Sequence, residues 1–141
     1  MNTDHRRTEL KFSRDERLLA GVRGAVEHVA NRHSLAADDR IDLALASEQA
    51  CRRAFLQLDG AGDFCTVVID DFVDRVEVSV ESPRSSGSAK ADIAVETSFA
   101  LPGDDPEAEM KTRVDRVDHD TNNGRARIIL TKYFHKNPAH L

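Results

Sequence analysis

Glu48 and Arg52 have the types and spacing of residues that could take part in catalysis or ligand binding. They lie four positions apart in a segment, Ala37 to Leu58, whose apolar residues recur at helical spacing. On a helical projection both fall within the apolar stripe of that segment, which we expect to consist of Ile41, Ala44, Leu45, Cys51, Phe55 and Leu58. A carboxylate aimed at an apolar core is costly unless it is paired or faces a cavity. Glu48 is therefore a candidate site residue.

Two interpretations of this pair are open. A Glu four residues before an Arg is the favourable order for an ion pair on a helix, so the pair could be purely structural. Alternatively, Glu48 belongs to a present or former active site. The residues alone do not decide between the two.

Other groups that could carry chemistry have more ordinary explanations. The six histidines show no metal-ligand spacing, and we expect them at the surface or in the tails. Cys51 and Cys65 are too few for a disulfide framework or a metal cluster, so we expect two buried thiols. Asp70 and Asp71 resemble a carboxylate pair, but we expect them in a hairpin turn, where Asp is common.

The elements that must position these residues follow from periodicity and turn signals. Ser13 and Glu16 have the spacing of a capping box before a first helix, which we expect to end near residues 31–34. A third helix should begin at Pro106 and reach about Arg113. Strands are predicted at Glu9 to Phe12, Phe64 to Ile69, Arg75 to Glu81, Val114 to Asp120 and Arg125 to Phe134, with a weaker strand at Ala91 to Phe99.

This order of elements predicts an α+β fold. We expect a two-layer sandwich in which a mostly antiparallel mixed sheet carries helices on one face. Asn122-Asn123-Gly124 between two β-like segments indicates a final hairpin. At 141 residues the chain fits one domain, predicted at residues 9–135, with a disordered segment at 1–8 and a loose tail at 136–141.

Composition restricts the partners. The formal net charge is −5 and 32% of the residues are charged, which disfavours direct binding of nucleic acid or an anionic membrane surface. No apolar run approaches the ~18 residues of a membrane span. The polar N-terminus has no apolar region typical of a signal peptide, so we expect a cytoplasmic protein.

Three segments together resemble a known family. They are ALASEQACRRAFLQL (residues 44–58), TVVIDDFVDRVEVSVES (66–82) and RVDRVDHDTNNGRARIILTKYF (113–134). The chain resembles, over about residues 9–134, the anti-sigma-factor serine kinases of the GHKL superfamily. The resemblance implies the histidine-kinase-like ATPase (Bergerat) fold.

The same resemblance implies a damaged nucleotide site. Such families use a Glu as base and, four residues later, an Asn that holds Mg²⁺; here Glu48 is present, but Arg52 stands at the Asn position. A guanidinium offers only hydrogen-bond donors and cannot ligate a metal. Glu81 stands near the position of the Asp that reads adenine in the family. The glycines that follow this Asp in the family are missing here, and Pro83 restricts the backbone. Glu48 is thus a catalytic candidate only if the chain is active, Arg52 and Glu81 are candidates for cofactor contact, and no metal ligand is predicted.

The function implied is a regulatory protein-binding module of a partner-switching system, with a sigma factor or a STAS-type antagonist as partner and no cofactor. The alternative is an ATP-dependent protein serine kinase that uses ATP and magnesium to phosphorylate such an antagonist. A third possibility is a domain that binds a small ligand in the former nucleotide cavity. Relatives often pair, so the resemblance also allows a homodimer.

Overall fold

The structure is a computed structural model that describes residues 5–32, 35–58, 63–83, 106–122 and 124–134. The predicted strand at Ala91 to Phe99 and the tail at 136–141 lie outside the described residues. In chain order the elements are β1 (Arg6–Phe12), α1 (Leu19–Ala30), α2 (Ala37–Phe55), β2 (Cys65–Asp71), β3 (Arg75–Pro83), α3 (Pro106–Arg113), β4 (Arg116–Asn122) and β5 (Arg125–Tyr133).

The strands form one antiparallel sheet in the order β1-β2-β3-β5-β4. Each pairing in it is antiparallel, so the α+β class and the antiparallel sheet are confirmed. The predicted mixed character is not found among the described strands. In the final hairpin, Gly124 has φ +77°, the left-handed conformation that Asn-Gly turns require.

One face of the sheet packs against the helices. Registered neighbours Val67, Val80 and Ile128 form a row across three strands, and Ile69, Val78 and Leu130 form the next row. All six belong to the core together with the inward residues of α1 and α2. Because strand side chains alternate between faces, the remaining positions of these strands point away from the helices.

That opposite face carries ion pairs. Arg7 contacts Asp70 on the neighbouring strand, and Arg127 contacts Asp120 across the β4–β5 pair. Asp70 and Asp71 were expected in a turn, but β2 extends through both, and they are only 6% and 5% exposed. The prediction of a turn at these positions was wrong because the apolar run ends before the strand does.

The N-terminal end of the chain also differs from expectation. β1 begins at Arg6, so residues 6–8, predicted as disordered, belong to a strand that pairs with β2. A 3-10 turn, Glu16–Leu18, precedes α1, and its cap is Asp15, whose carboxylate accepts a hydrogen bond from the backbone N–H of Arg17 at 3.0 Å. Ser13 is therefore not the residue that caps this turn.

The helical layer has α2 at its centre. α1 packs beside α2 and buries Leu19, Val22, Val26 and Val29. α3, which has the predicted bounds, packs against the other side of α2 through the fully buried Met110. Among the described residues, none of the helices combines the length and apolar character needed to cross a membrane.

Candidate functional site

The inward face of α2 differs from the stripe expected from the sequence. Its buried residues are Leu43, Ala44, Ala46, Ser47, Ala50, Cys51, Ala54 and Phe55. Ile41, expected in the core, is 47% exposed. The apolar stripe is therefore rotated about the helix axis relative to the prediction. Glu48 lies at the edge of the observed stripe, and Arg52 lies outside it.

Glu48 and Arg52 form the ion pair that one interpretation of the sequence anticipated. The Nη2 of Arg52 donates to Oε2 of Glu48 at 2.8 Å, and its Nε donates to the same oxygen at 3.2 Å. The Glu48 side chain is 17% exposed and that of Arg52 is 51% exposed. The carboxylate thus lies at the edge of the helical layer and does not point into the apolar core.

Two further groups extend this pair into a network. Arg23 of α1 lies with its Nη1 3.5 Å from Oε1 of Glu48. The Nη1 of Arg52 donates to Oε1 of Glu16, in the 3-10 turn before α1. The hydrogen bonds to Glu48 and then to Glu16 raise the pKa of Arg52 above its ordinary value. Both carboxylate oxygens of Glu48 therefore face guanidinium groups.

This network does not fit the magnesium ion that the kinase alternative would require. Mg²⁺ requires oxygen ligands in near-octahedral geometry. The group beside Glu48 is a guanidinium, which has no acceptor atom and carries a positive charge of its own. Among the described residues, no cluster of three or more His, Cys, Asp or Glu side chains is arranged to hold a metal ion.

Glu81 is not brought together with Glu48 and Arg52. It lies on β3 opposite Thr66 and Arg127, on the sheet face that points away from α2. Its Oε1 lies 3.5 Å from Nε of Arg125. The neighbouring residue that faces the helices is Ser82, which is 3% exposed. The candidate residues therefore do not share one site. Glu48 and Arg52 lie on the helical side of the sheet, and Glu81 lies on the opposite side.

The structure also contains a cluster around Asp70 that the sequence did not predict. Oδ1 of Asp70 lies 2.8 Å from Nε2 of His5 and accepts a hydrogen bond from Nε of Arg7, also at 2.8 Å. The His5 ring stacks on Phe72 with centroids 4.5 Å apart, and the Arg75 guanidinium lies over Phe72 at 4.1 Å. Partners 65 residues apart, such as His5 and Asp70, leave no local sequence signal.

The chemistry open to the Glu48 network depends on what its carboxylate contacts. Both oxygens of the Glu48 carboxylate face guanidinium groups, whereas a general base has to lie within hydrogen-bond reach of the proton that it accepts. The exposed part of Arg52 offers charge to a binding partner. No protein-family model matches this chain, and no curated protein matches it either.

Proposed function

We propose that this chain is a regulatory protein-binding domain of a partner-switching system, of the anti-sigma-factor kind, that acts by binding and not by phosphoryl transfer. Its partner is a sigma factor or a STAS-type antagonist. The observation that carries the proposal is the pairing of Glu48 with Arg52 at 2.8 Å. A fixed cation stands where the resemblance would require an oxygen ligand for magnesium.

Three features support this proposal over the kinase alternative. Glu48 is held by Arg23 and Arg52. Glu81 lies on the sheet face opposite to α2 and pairs there with Arg125, away from any cavity beside the helices. The net charge of −5 gives no general attraction for a triphosphate.

The nucleotide part of the proposal is tested by titrating purified chain with Mg-ATP in a calorimeter. We expect no binding heat up to about 1 mM nucleotide, the weak end of ordinary ligand affinities. Arg52→Asn, which restores the amide of the family pattern, is the matched variant. Micromolar affinity in the native chain that is lost in Glu48→Gln would contradict the proposal and favour the kinase.

The partner part is tested by co-expression with each sigma factor and each STAS-type protein encoded in the same genome. We expect one of them to form a stoichiometric complex whose affinity is the same with and without Mg-ATP. Transfer of radiolabelled phosphate from ATP to a serine of the STAS-type protein would support the kinase instead. Failure of all of them to bind would overturn the proposed partner class.

A further inference from the structure

Strand β1 forms one edge of the sheet. Among the strands that the structure describes, it pairs with β2 alone, from Arg6 to Phe12. In an edge strand, every second residue directs its backbone N–H and C=O groups away from the sheet. β1 therefore offers a row of backbone groups to which an extended segment of another chain can bond as a further strand.

The charges along this edge are mostly basic and unpaired. Arg6, Lys11 and Arg14 are exposed, and within the described part of the chain no carboxylate forms an ion pair with any of them. Arg7 differs, because it bonds to Asp70. Even when the one carboxylate of β1 is counted, this edge carries an excess of positive charge on a chain whose formal net charge is −5.

The strand at the opposite edge, β4, has its charges paired within the chain. The pairs are Arg116 with Asp118 at 2.8 Å, His119 with Glu107 at 2.9 Å, and Asp120 with Arg127 at 2.6 Å. An incoming charged segment would have to compete with these pairs, whereas at β1 it meets free cations. Charge therefore distinguishes β1 from β4 as an edge for an acidic partner.

The two sides of β1 differ in chemistry. Leu10 and Phe12 lie on the helix side, where both are half-buried and pack against the core. The open side of the strand carries Arg7, Glu9 and Lys11, so the charges follow one another in the order positive, negative, positive. A strand added at this edge meets apolar side chains on one side and this charge pattern on the other.

The Lys11 ammonium is positioned by an aromatic ring. Its Nζ lies 5.3 Å from the centroid of Phe64, and the Arg125 guanidinium lies over the same ring at 5.0 Å. Phe64 is itself 38% exposed. A cation held over a ring keeps its N–H donors for a carboxylate. Lys11 is therefore placed to receive an acidic side chain at one end of the edge.

We propose that the edge of β1 binds an extended acidic segment of a partner protein, which adds to the sheet as a further strand. The segment alternates apolar residues, which lie beside Leu10 and Phe12, with charged residues in the order acid, base, acid, which face Arg7, Glu9 and Lys11. Its backbone hydrogen bonds supply affinity and its charges supply selectivity. This site does not rest on the partner class proposed above.

Synthetic peptides test the strand addition. The probe is the labelled, end-blocked peptide Val-Glu-Val-Lys-Val-Glu-Val, and the matched control is its charge-reversed form, Val-Lys-Val-Glu-Val-Lys-Val. By fluorescence anisotropy at low ionic strength, we expect the probe to bind with a dissociation constant below about 1 mM and at least about tenfold more tightly than the control. Added salt should reduce this difference.

A fully N-methylated peptide of the probe sequence separates strand addition from charge attraction. It keeps the charges but has no backbone N–H to donate, so its binding should be lost. Equal affinity for the two charge patterns, unchanged affinity after N-methylation, or no binding of the probe at about 1 mM would each overturn the proposal.

A charge reversal tests the role of Lys11. Lys11→Glu should raise the dissociation constant of the probe by at least about fivefold, because attraction at one end of the edge becomes repulsion. Lys111→Glu is the matched control: it makes the same change at a residue that is 61% exposed on α3, near the opposite edge of the sheet. Equal loss of binding in both variants would show that the peptide responds only to the overall charge of the chain.

Hydrogen exchange locates the peptide without any substitution. We expect the backbone amides of β1 to exchange more slowly when the probe is bound, and those of β4 to exchange at an unchanged rate. Protection at β4 in place of β1 would overturn the assignment of the edge. Protection of β1 that rises with chain concentration in the absence of peptide would assign the edge to a second copy of the chain and refute the proposal.

Discussion

Arg52 reaches one turn back along α2 and places two of its nitrogens on a single oxygen of Glu48, with Nη2 at 2.8 Å and Nε at 3.2 Å from Oε2. The same guanidinium contacts Glu16 through Nη1, so it links α2 to the turn that precedes α1. Arg52 has no atom that could ligate a metal ion. It instead makes a structural contact between α2 and the turn before α1.

The energy of this contact should be small. Because the Arg52 side chain is 51% exposed, we expect a Glu48–Arg52 coupling of about 0.3–0.5 kcal/mol, which salt should reduce further. Glu48→Gln, Arg52→Gln and the double variant give this coupling as a double-mutant cycle from urea unfolding. A coupling above about 2 kcal/mol would show that the pair is desolvated and would contradict its assignment to the surface.

The orientation of α2 gives a second prediction. Leu43 is fully buried, so Leu43→Ala should lower the free energy of unfolding by about 2–5 kcal/mol. Ile41→Ala removes a side chain that is 47% exposed and should cost less than about 1 kcal/mol. Both are measured by urea unfolding. The reverse ranking would restore the helix orientation expected from the sequence.

This rotation explains why the site was only partly predictable. The inward face of α2 is filled largely by small residues, including Ala46, Ser47, Ala50 and Ala54, which mark an apolar stripe poorly. Ile41 is larger and lies on the outward face of α2. A helical projection from the sequence therefore places the apolar stripe too close to Ile41. A helix can be recognised from such a pattern, but the side that it buries depends on what packs around it.

Features with local causes were predicted correctly. Pro106 at the start of α3 and the Asn-Gly turn before β5 each set the backbone by their own chemistry. The alternation of side chains along β3 also determines the orientation of Glu81. Since Val76, Val78 and Val80 face the core, Glu81 has to face the other way. The contact of Asp70 with His5 had no such local cause.

Two glycines should respond in opposite directions to substitution by alanine. Gly24 lies in α1, and a Cβ built there meets nothing within 4 Å, so Gly24→Ala should stabilise the chain by about 0.5–1 kcal/mol. Gly124 has φ +77°, so Gly124→Ala should destabilise it by about 1 kcal/mol. Thermal unfolding measures both. A loss of stability in Gly24→Ala would mean that the exposed side of α1 makes contacts that the structure does not contain.

The two thiols should be unreactive in the folded protein. Cys51 and Cys65 are both fully buried, and the pKa of the Cys51 thiol is raised well above its ordinary value by its hydrogen bond to Cys65 and by burial. Since the thiolate is the reactive form, we expect reaction with Ellman's reagent at pH 8 only as fast as the chain unfolds. A Val73→Cys variant supplies an exposed thiol as a positive control. Rapid reaction of the native thiols would show that the core beside α2 opens.

The pH dependence of stability should include a contribution from Asp120. Arg127 donates to its two carboxylate oxygens at 2.8 and 2.6 Å, and these hydrogen bonds lower the pKa of Asp120 below its ordinary value of 3.8. A carboxylate with a lowered folded-state pKa stabilises the fold above its unfolded-state pKa. That stabilisation is lost as the pH falls through the folded-state value.

The stability difference between the native chain and Asp120→Asn should therefore be constant between about pH 5 and pH 7 and should shrink as the pH falls below about 4. Urea unfolding at several pH values measures it, and carboxyl NMR gives the pKa directly. In Arg127→Gln the pKa of Asp120 should rise toward 3.8, because its main cause of lowering is removed. A pKa that stays in place in Arg127→Gln would mean that another group holds the carboxylate, and that this pair on the sheet face opposite to the helices is not formed in solution.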